Sequence, residues 1–107
     1  MTNKELISND NFRLLSDADD RQITGVFCCD LLSYAMGKAP AESAWVTVMA
    51  NVNTLAVASL TDVACVVLAE GASFDDSLIQ KAKEEGITVF KTDLPIFEAA
   101  LLIKESL

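Results

Sequence analysis

The chain has 107 residues, 51% of them apolar, with 8 basic and 16 acidic side chains, a formal net charge of −8 and no histidine. That length suits one domain with a real core, and the apolar content excludes a disordered chain. The acidity disfavours nucleic acid and anionic membrane as partners, since both need cations against phosphate. Without histidine there is no Ser-His-Asp or Cys-His catalysis, and the commonest metal ligand is missing.

The N-terminus, "MTNKELISND", lacks the apolar run of a secretory signal, and no uncharged apolar stretch approaches the ~18 residues of a membrane helix. Three cysteines are an odd number, better suited to a reducing cytoplasm than to a disulfide framework. The expected location is cytoplasmic.

In chain order, Thr2 and Glu5 form a capping-box pattern before a short helix over about 3–9. "FRLLS" (12–16) reads as a short strand, "DADDR" (17–21) as a solvated turn containing an exposed local pair, Asp20 and Arg21. "QITGVFCC" (22–29) reads as a strand in which Gly25 marks a bulge or the close approach of another backbone. Asp30 is placed to cap a helix through "LLSYAM", with Gly37 as its stop. "AWVTVMA" (44–50) and "DVACVVLAE" (62–70) are apolar enough for strands covered on both faces. Between them lies the helix "TLAVASL", capped by Asn51 or Asn53.

After Glu70, Gly71 turns the chain and Asp75 caps a helix ending at Gly86, with Phe74 and Ile79 at hydrophobic-staple positions. Its charged face is solvated, with Leu78, Ile79 and Ala82 pointing inward. "ITVFK" (87–91) is the next strand, and Thr92 or Asp93 caps the last helix, with Pro95 in its first turn. There Ile96, Ala100, Ile103 and Leu107 form an inward stripe that Phe97 and Leu101 widen, leaving Lys104 and Glu105 wet. Strand, cap, short helix and strand in alternation predict an α/β sandwich: a small, mainly parallel sheet of four to five strands with short crossover helices. Right-handed crossovers then line the crossover helix N-termini along one edge.

No phosphate-binding loop is present, because Gly37-Lys38 is followed by Ala39 and lacks the upstream glycine; GxGxxG is absent too. Adjacent cysteines in a strand point to opposite faces, so Cys28 and Cys29 cannot close a ring easily, and only Cys65 remains for a metal or cluster. Position before a helix would lower the thiol pKa of Cys29, and Asp30 opposes this. Packing is the expected role of all three, with a redox or iron–sulfur accessory function as the alternative. The strand ends supply the generic ligand candidates Asn51, Asn53, Glu70, Gly71, Thr92 and Asp93, since open α/β sheets bind ligands beyond the carboxyl ends of their strands. Each also serves as a helix cap or turn.

"ITGVFCCDLLSYAMG", "AWVTVMANVNTLAVASLTDVACVVLAEG" and "GITVFKTDLPIFEAALLIKE" together resemble the DRTGG domain, over roughly residues 20–105. The matching features are TG followed by DLLS, N-x-x-AVASL-x-D-x-A, and the closing GI…T…FEAA. The resemblance implies one DRTGG-like domain over 1–107, with 1–19 as an N-terminal extension and a fold related to the HPr kinase/phosphorylase N-terminal domain. It is closest in kind to the small stand-alone proteins associated with iron-only hydrogenase. It implies a non-catalytic regulatory or interaction module that homodimerises and senses a small ligand, an adenine nucleotide being the alternative, with a partner protein besides; no cofactor or metal is implied. Carried over residue by residue, the matching positions are Thr24, Gly25, Asp30, Ser33, Asn53 and Thr92. The sequence departs from the family at the naming motif. Gln22-Ile23 separates Asp20-Arg21 from Thr24-Gly25, Val26 replaces the second glycine, and Met49-Ala50-Asn51-Val52 lacks the histidine of stand-alone relatives.

Overall fold

The computed structural model describes residues 1–107 as one five-stranded sheet with helices on both faces. Helix α1 (Asn3–Ile7) precedes β1 (Arg13–Ser16) and β2 (Gly25–Cys28). Then α2 (Leu32–Lys38), β3 (Ser43–Thr47), α3 (Val52–Thr61), β4 (Cys65–Leu68), α4 (Asp76–Glu85), β5 (Val89–Lys91) and α5 (Ile96–Glu105) follow. The strand order is β1-β5-β4-β3-β2, parallel from β5 to β2, with β1 antiparallel to β5. The predicted α/β class is therefore the observed one.

Strand alternation sorts the core into two layers. Trp45, Val66, Leu68 and Val89 pack against α2, α3 and α4 through Ala35, Leu55, Ala58 and Ala82. Ala44, Val46, Cys65, Val67 and Phe90 pack on the opposite face against α1 and α5 through Leu6, Ala99 and Ile103. Each crossover steps to the next strand in the same direction, so α2, α3 and α4 share a face. Alanines at the helix–sheet contacts let these short helices sit close, which the Ala-rich composition anticipates.

Several caps are as read from the sequence. Thr2 accepts from Glu5 N, Asn51 from Asn53 N and Thr54 N, and Asp75 from Leu78 N. Gly86 stops α4 in the left-handed conformation, φ 71°.

Others differ. Gly37 lies inside α2, which runs on to Lys38 and stops because Ala39 precedes Pro40 and is held extended. Asp30 does not cap α2; Leu31 takes that place, with no side-chain hydrogen bond, because the Asp30 carboxylate is engaged elsewhere. Neither Thr92 nor Asp93 caps α5, which starts after Pro95. Gly25 makes neither a bulge nor a tight contact: it pairs in register with Ser43, and an added Cβ would meet nothing within 4 Å.

The largest departure is on α5. Ala99 and Ile103 face the core, whereas Phe97 is 69% and Leu101 42% exposed, and Leu107 is exposed as well. The sheet ends at β2, so that flank of α5 overhangs the sheet edge and has nothing to cover it.

Candidate functional site

The sequence-derived candidates fall at opposite ends of the sheet. Thr24 and Gly25 open β2 at the amino edge, whereas Asp30, Ser33, Asn51, Asn53, Glu70, Gly71, Thr92 and Asp93 lie at the carboxyl edge of the parallel strands.

At the amino edge the residues are joined structurally. Asp20 and Arg21 do not pair with each other. Asp20 accepts from Lys4 N at 3.0 Å. Arg21 Nη1 donates to Asp62 Oδ1 at 2.9 Å and to the Val63 carbonyl at 3.0 Å, and Nη2 donates to the Asp62 carbonyl at 3.2 Å. The guanidinium thus closes the C-terminal end of α3, where free carbonyls and the helix dipole favour a cation. Thr24 N donates to the Glu42 carbonyl, and Glu42 N to the Asp62 carbonyl. Asn3, buried beside them, donates to the Ala64 carbonyl at 3.0 Å. The stretch resembling the naming motif therefore ties α1, β2, α3 and β4 together. Spacing alone could not show that Arg21 reaches 41 residues ahead.

At the carboxyl edge, two loops are zipped together. Gly71 N donates to the Thr92 carbonyl at 3.0 Å and Glu70 N to the Leu94 carbonyl at 2.9 Å. Thr92 is buried, donates its N–H to the Leu68 carbonyl at 2.8 Å, and accepts from Leu94 N on Oγ1 at 3.2 Å. Glu70 and Gly71 both hold positive φ, 58° and 78°. Asp93 Oδ1 would stand 3.5 Å from a Cβ on Gly71. Asp10, Asn11 and Thr92 to Pro95 line an open depression of about 280 Å³ beside these loops. It carries Asp10 and Asp93 and no cation, which disfavours a bare anion there. Positive charge stands beside it on the β1–β5 pair, where Arg13 and Lys91 lie directly opposite in register and neither makes an ion pair. Like charges in that relation repel.

Asp30 links β2 to the end of β3: its Oδ1 accepts from Thr47 Oγ1 at 2.7 Å and from Val48 N at 2.8 Å. Thr47 Oγ1 in turn accepts from Met49 N, and the Met49 carbonyl from Thr54 Oγ1 at 2.6 Å. This chain of bonds carries Asp30 through to Asn51, the α3 cap. Ser33 and Asn53 are exposed and make no side-chain hydrogen bonds to this network.

The cysteines do not converge. Cys28 faces α5, Cys29 packs with the α2–α4 layer, and Cys65 is buried under α5 and α1. No three Cys, Asp or Glu side chains gather as a metal site. Partial burial and then the Asp30 carboxylate push the Cys28 thiol up, and full burial pushes Cys65 up to about 12. Since the thiolate is the nucleophile, Cys28 in a Cys29→Ser chain should react slowly with Ellman's reagent at neutral pH. Its rate should rise about tenfold per pH unit until the raised pKa is passed, with Cys65 silent until denaturant is added. Rapid labelling at pH 7 would contradict this.

Sequence reasoning missed the surface that α5 leaves open. Val26 and Cys28 of β2 with Phe97, Ala100, Leu101 and Lys104 of α5 line a groove of about 320 Å³, apolar except for Lys104. The exposed edge of β2 forms one wall. The missed signal was that the α5 stripe was too wide for one core face.

No helix is long and apolar enough to cross a membrane. No protein-family model matches the sequence, and no curated protein does. Among solved structures the chain is similar to the CBS and DRTGG domains of the regulatory region of a Clostridium perfringens pyrophosphatase, complexed with the activator diadenosine tetraphosphate. The TM-score is 0.72 at 17% identity, over 98% of this chain and 46% of that one. This chain thus spans less than half of that regulatory region, and the likeness is one of fold: a DRTGG-like α/β architecture.

Proposed function

We propose that this chain, as a single module over 1–107, is a non-catalytic regulatory and interaction domain that works as a cytoplasmic homodimer. The observation that carries the reading is the open α5–β2 groove, the largest apolar concavity of the chain. Large side chains such as Phe97 are left in water when nothing covers them, and contiguous apolar surface of this kind marks an interaction site. Several polar residues, in contrast, are occupied with holding the fold, Arg21 on α3, Asp30 on β3, Asn51 on its helix and Thr92 within its own loop, while Ser33 and Asn53 are left exposed. A regulated partner protein, as the iron-only hydrogenase association of similar domains implies, belongs to the same reading. Sedimentation velocity at micromolar concentrations tests it: a dimer is expected, and a monomer throughout would remove the pairing.

A second reading, adenine-nucleotide sensing, is favoured by the activator in the similar pyrophosphatase region and by the unpaired Arg13 and Lys91 at the carboxyl edge. A ligand at 100 times its Kd adds about 2.7 kcal/mol of stability. Diadenosine tetraphosphate, ATP and AMP should then raise Tm, and Lys91→Ala should cancel the rise. No shift at millimolar nucleotide would retire this reading.

A further inference from the structure

The antiparallel β1–β5 pair sets Arg13 directly opposite Lys91. Residues so opposed share one face of the sheet, and like charges there destabilise the pairing. Nothing inside the chain relieves them: with 16 acidic side chains available, neither cation joins an ion pair. A local rule broken without compensation marks a functional site. We infer that Arg13 and Lys91 together clamp an oligophosphate, reading the phosphates of a nucleotide and not its base, a step that rests on the nucleotide-sensing reading above.

β1 begins at Arg13 and β5 ends at Lys91, so the two cations close the ladder at the carboxyl edge of the parallel strands. Open α/β sheets take ligands at that edge. On its other side Lys91 is in register with Leu68 of β4, which is wholly buried. The lysine is itself half-buried, and its stem can lie along the sheet while the ammonium reaches water. Arg13 is exposed. Its planar fork suits two oxygens of one phosphoryl group, while the lysine meets the next as a point charge.

The neighbouring groups narrow the ligand. The two segments that leave the ladder beyond the pair line the open depression and bring Asp10 and Asp93 to it. A small, singly charged anion gains little against two carboxylates. A chain of phosphoryl groups carries charge on every unit and can meet both cations at once. A base finds no platform here, since Phe12, Phe74 and Phe90 are buried. The aromatic rings that reach solvent are Phe27, Tyr34 and Phe97. They stand on β2, on α2 and on α5, which packs against β2 and β3, all toward the other edge of the sheet. Stacking on an aromatic ring is therefore absent, and the phosphates alone hold the ligand.

Isothermal titration calorimetry on the full chain tests the clamp, with tripolyphosphate, ATP, AMP and polyglutamate as probes. Tripolyphosphate and ATP should bind alike, and AMP, with one phosphoryl group, about tenfold or more weaker. Arg13→Ala and Lys91→Ala should each weaken the first two by about tenfold or more, and added salt should weaken both. Lys38→Ala, which removes an exposed cation from the last turn of α2, should change nothing. Lys91→Glu sets a carboxylate opposite Arg13. It should abolish binding yet raise the Tm of the free protein by a few degrees, because opposite charges then face each other. A lysine that served the fold alone would lose stability on substitution. ATP binding untouched by Arg13→Ala and Lys91→Ala, or ATP and AMP binding alike while tripolyphosphate is silent, would overturn the clamp and leave nucleotide sensing in place. Binding of polyglutamate without tripolyphosphate would assign the cations to an acidic protein surface and overturn the clamp as well. No binding of any nucleotide or of tripolyphosphate would overturn both.

Discussion

Trp45→Ala is expected to destabilise the fold by about 3–5 kcal/mol, the range for removing a large aromatic from a packed core. Trp45 is wholly buried on β3, one strand in from the β2 edge, and packs among the side chains of the α2–α4 layer. Its Nε1 also donates to the Cys29 carbonyl at 3.1 Å, so the indole ties the end of β2 to β3 as well as filling the core. Alanine leaves a cavity that the short strands cannot collapse around, and it leaves that carbonyl without its donor. Against a total of about 5–15 kcal/mol for a domain of this size, that is a large share of the stability. Urea unfolding followed by far-UV circular dichroism measures it, since the chain's one tryptophan is lost with the substitution. Trp45→Phe should cost less, because the ring keeps most of the volume and only the hydrogen bond goes. Equal losses for the two variants would mean that the bond, not the packing, dominates.

The architecture was legible because strands and caps write themselves locally. Within the apolar runs at 44–50 and 62–70, residues 44–47 and 63–69 are buried on both faces, and Asn51, Asp75 and Gly86 act within four residues of themselves. Local pattern fails where the outcome depends on what stands opposite. Asp30 looked like a helix cap because such caps are read from the next few residues, yet its partners are 17 and 18 residues away on β3. Arg21 looked like half of a local pair for the same reason. Phe97 and Leu101 carry the periodicity of a buried stripe, and periodicity reports which side of a helix they share, not whether the sheet extends far enough to cover it. The candidate site was accordingly half legible. The carboxyl-edge residues come together as topology demands, whereas the α5–β2 groove exists only because the sheet stops at β2.

Asp30 offers the sharpest separation of a scaffold role from a ligand role. Its carboxylate receives a buried hydroxyl, Thr47 Oγ1, and the Val48 amide, and so fixes where β3 ends and the loop to α3 begins. Hydrogen bonds to a charged group contribute about 1.5–3 kcal/mol when buried, and Asp30 itself is exposed, so solvent screening lowers the figure. Asp30→Ala should therefore lower stability by about 1–2 kcal/mol, a Tm drop of about 4–16 °C for a domain near this size. Asp30→Asn retains an acceptor and should lose less. Ser33→Ala, three residues on and free of hydrogen bonds to this network, should stay within about 0.5 kcal/mol of wild type. Thr47→Val removes the same bond from its other end. The double variant should then fall short of the sum of the two single losses by about 1 kcal/mol, the signature of groups acting on each other. Strict additivity would show that the two side chains do not depend on each other, and Asp30 would return to the ligand candidates at the carboxyl edge.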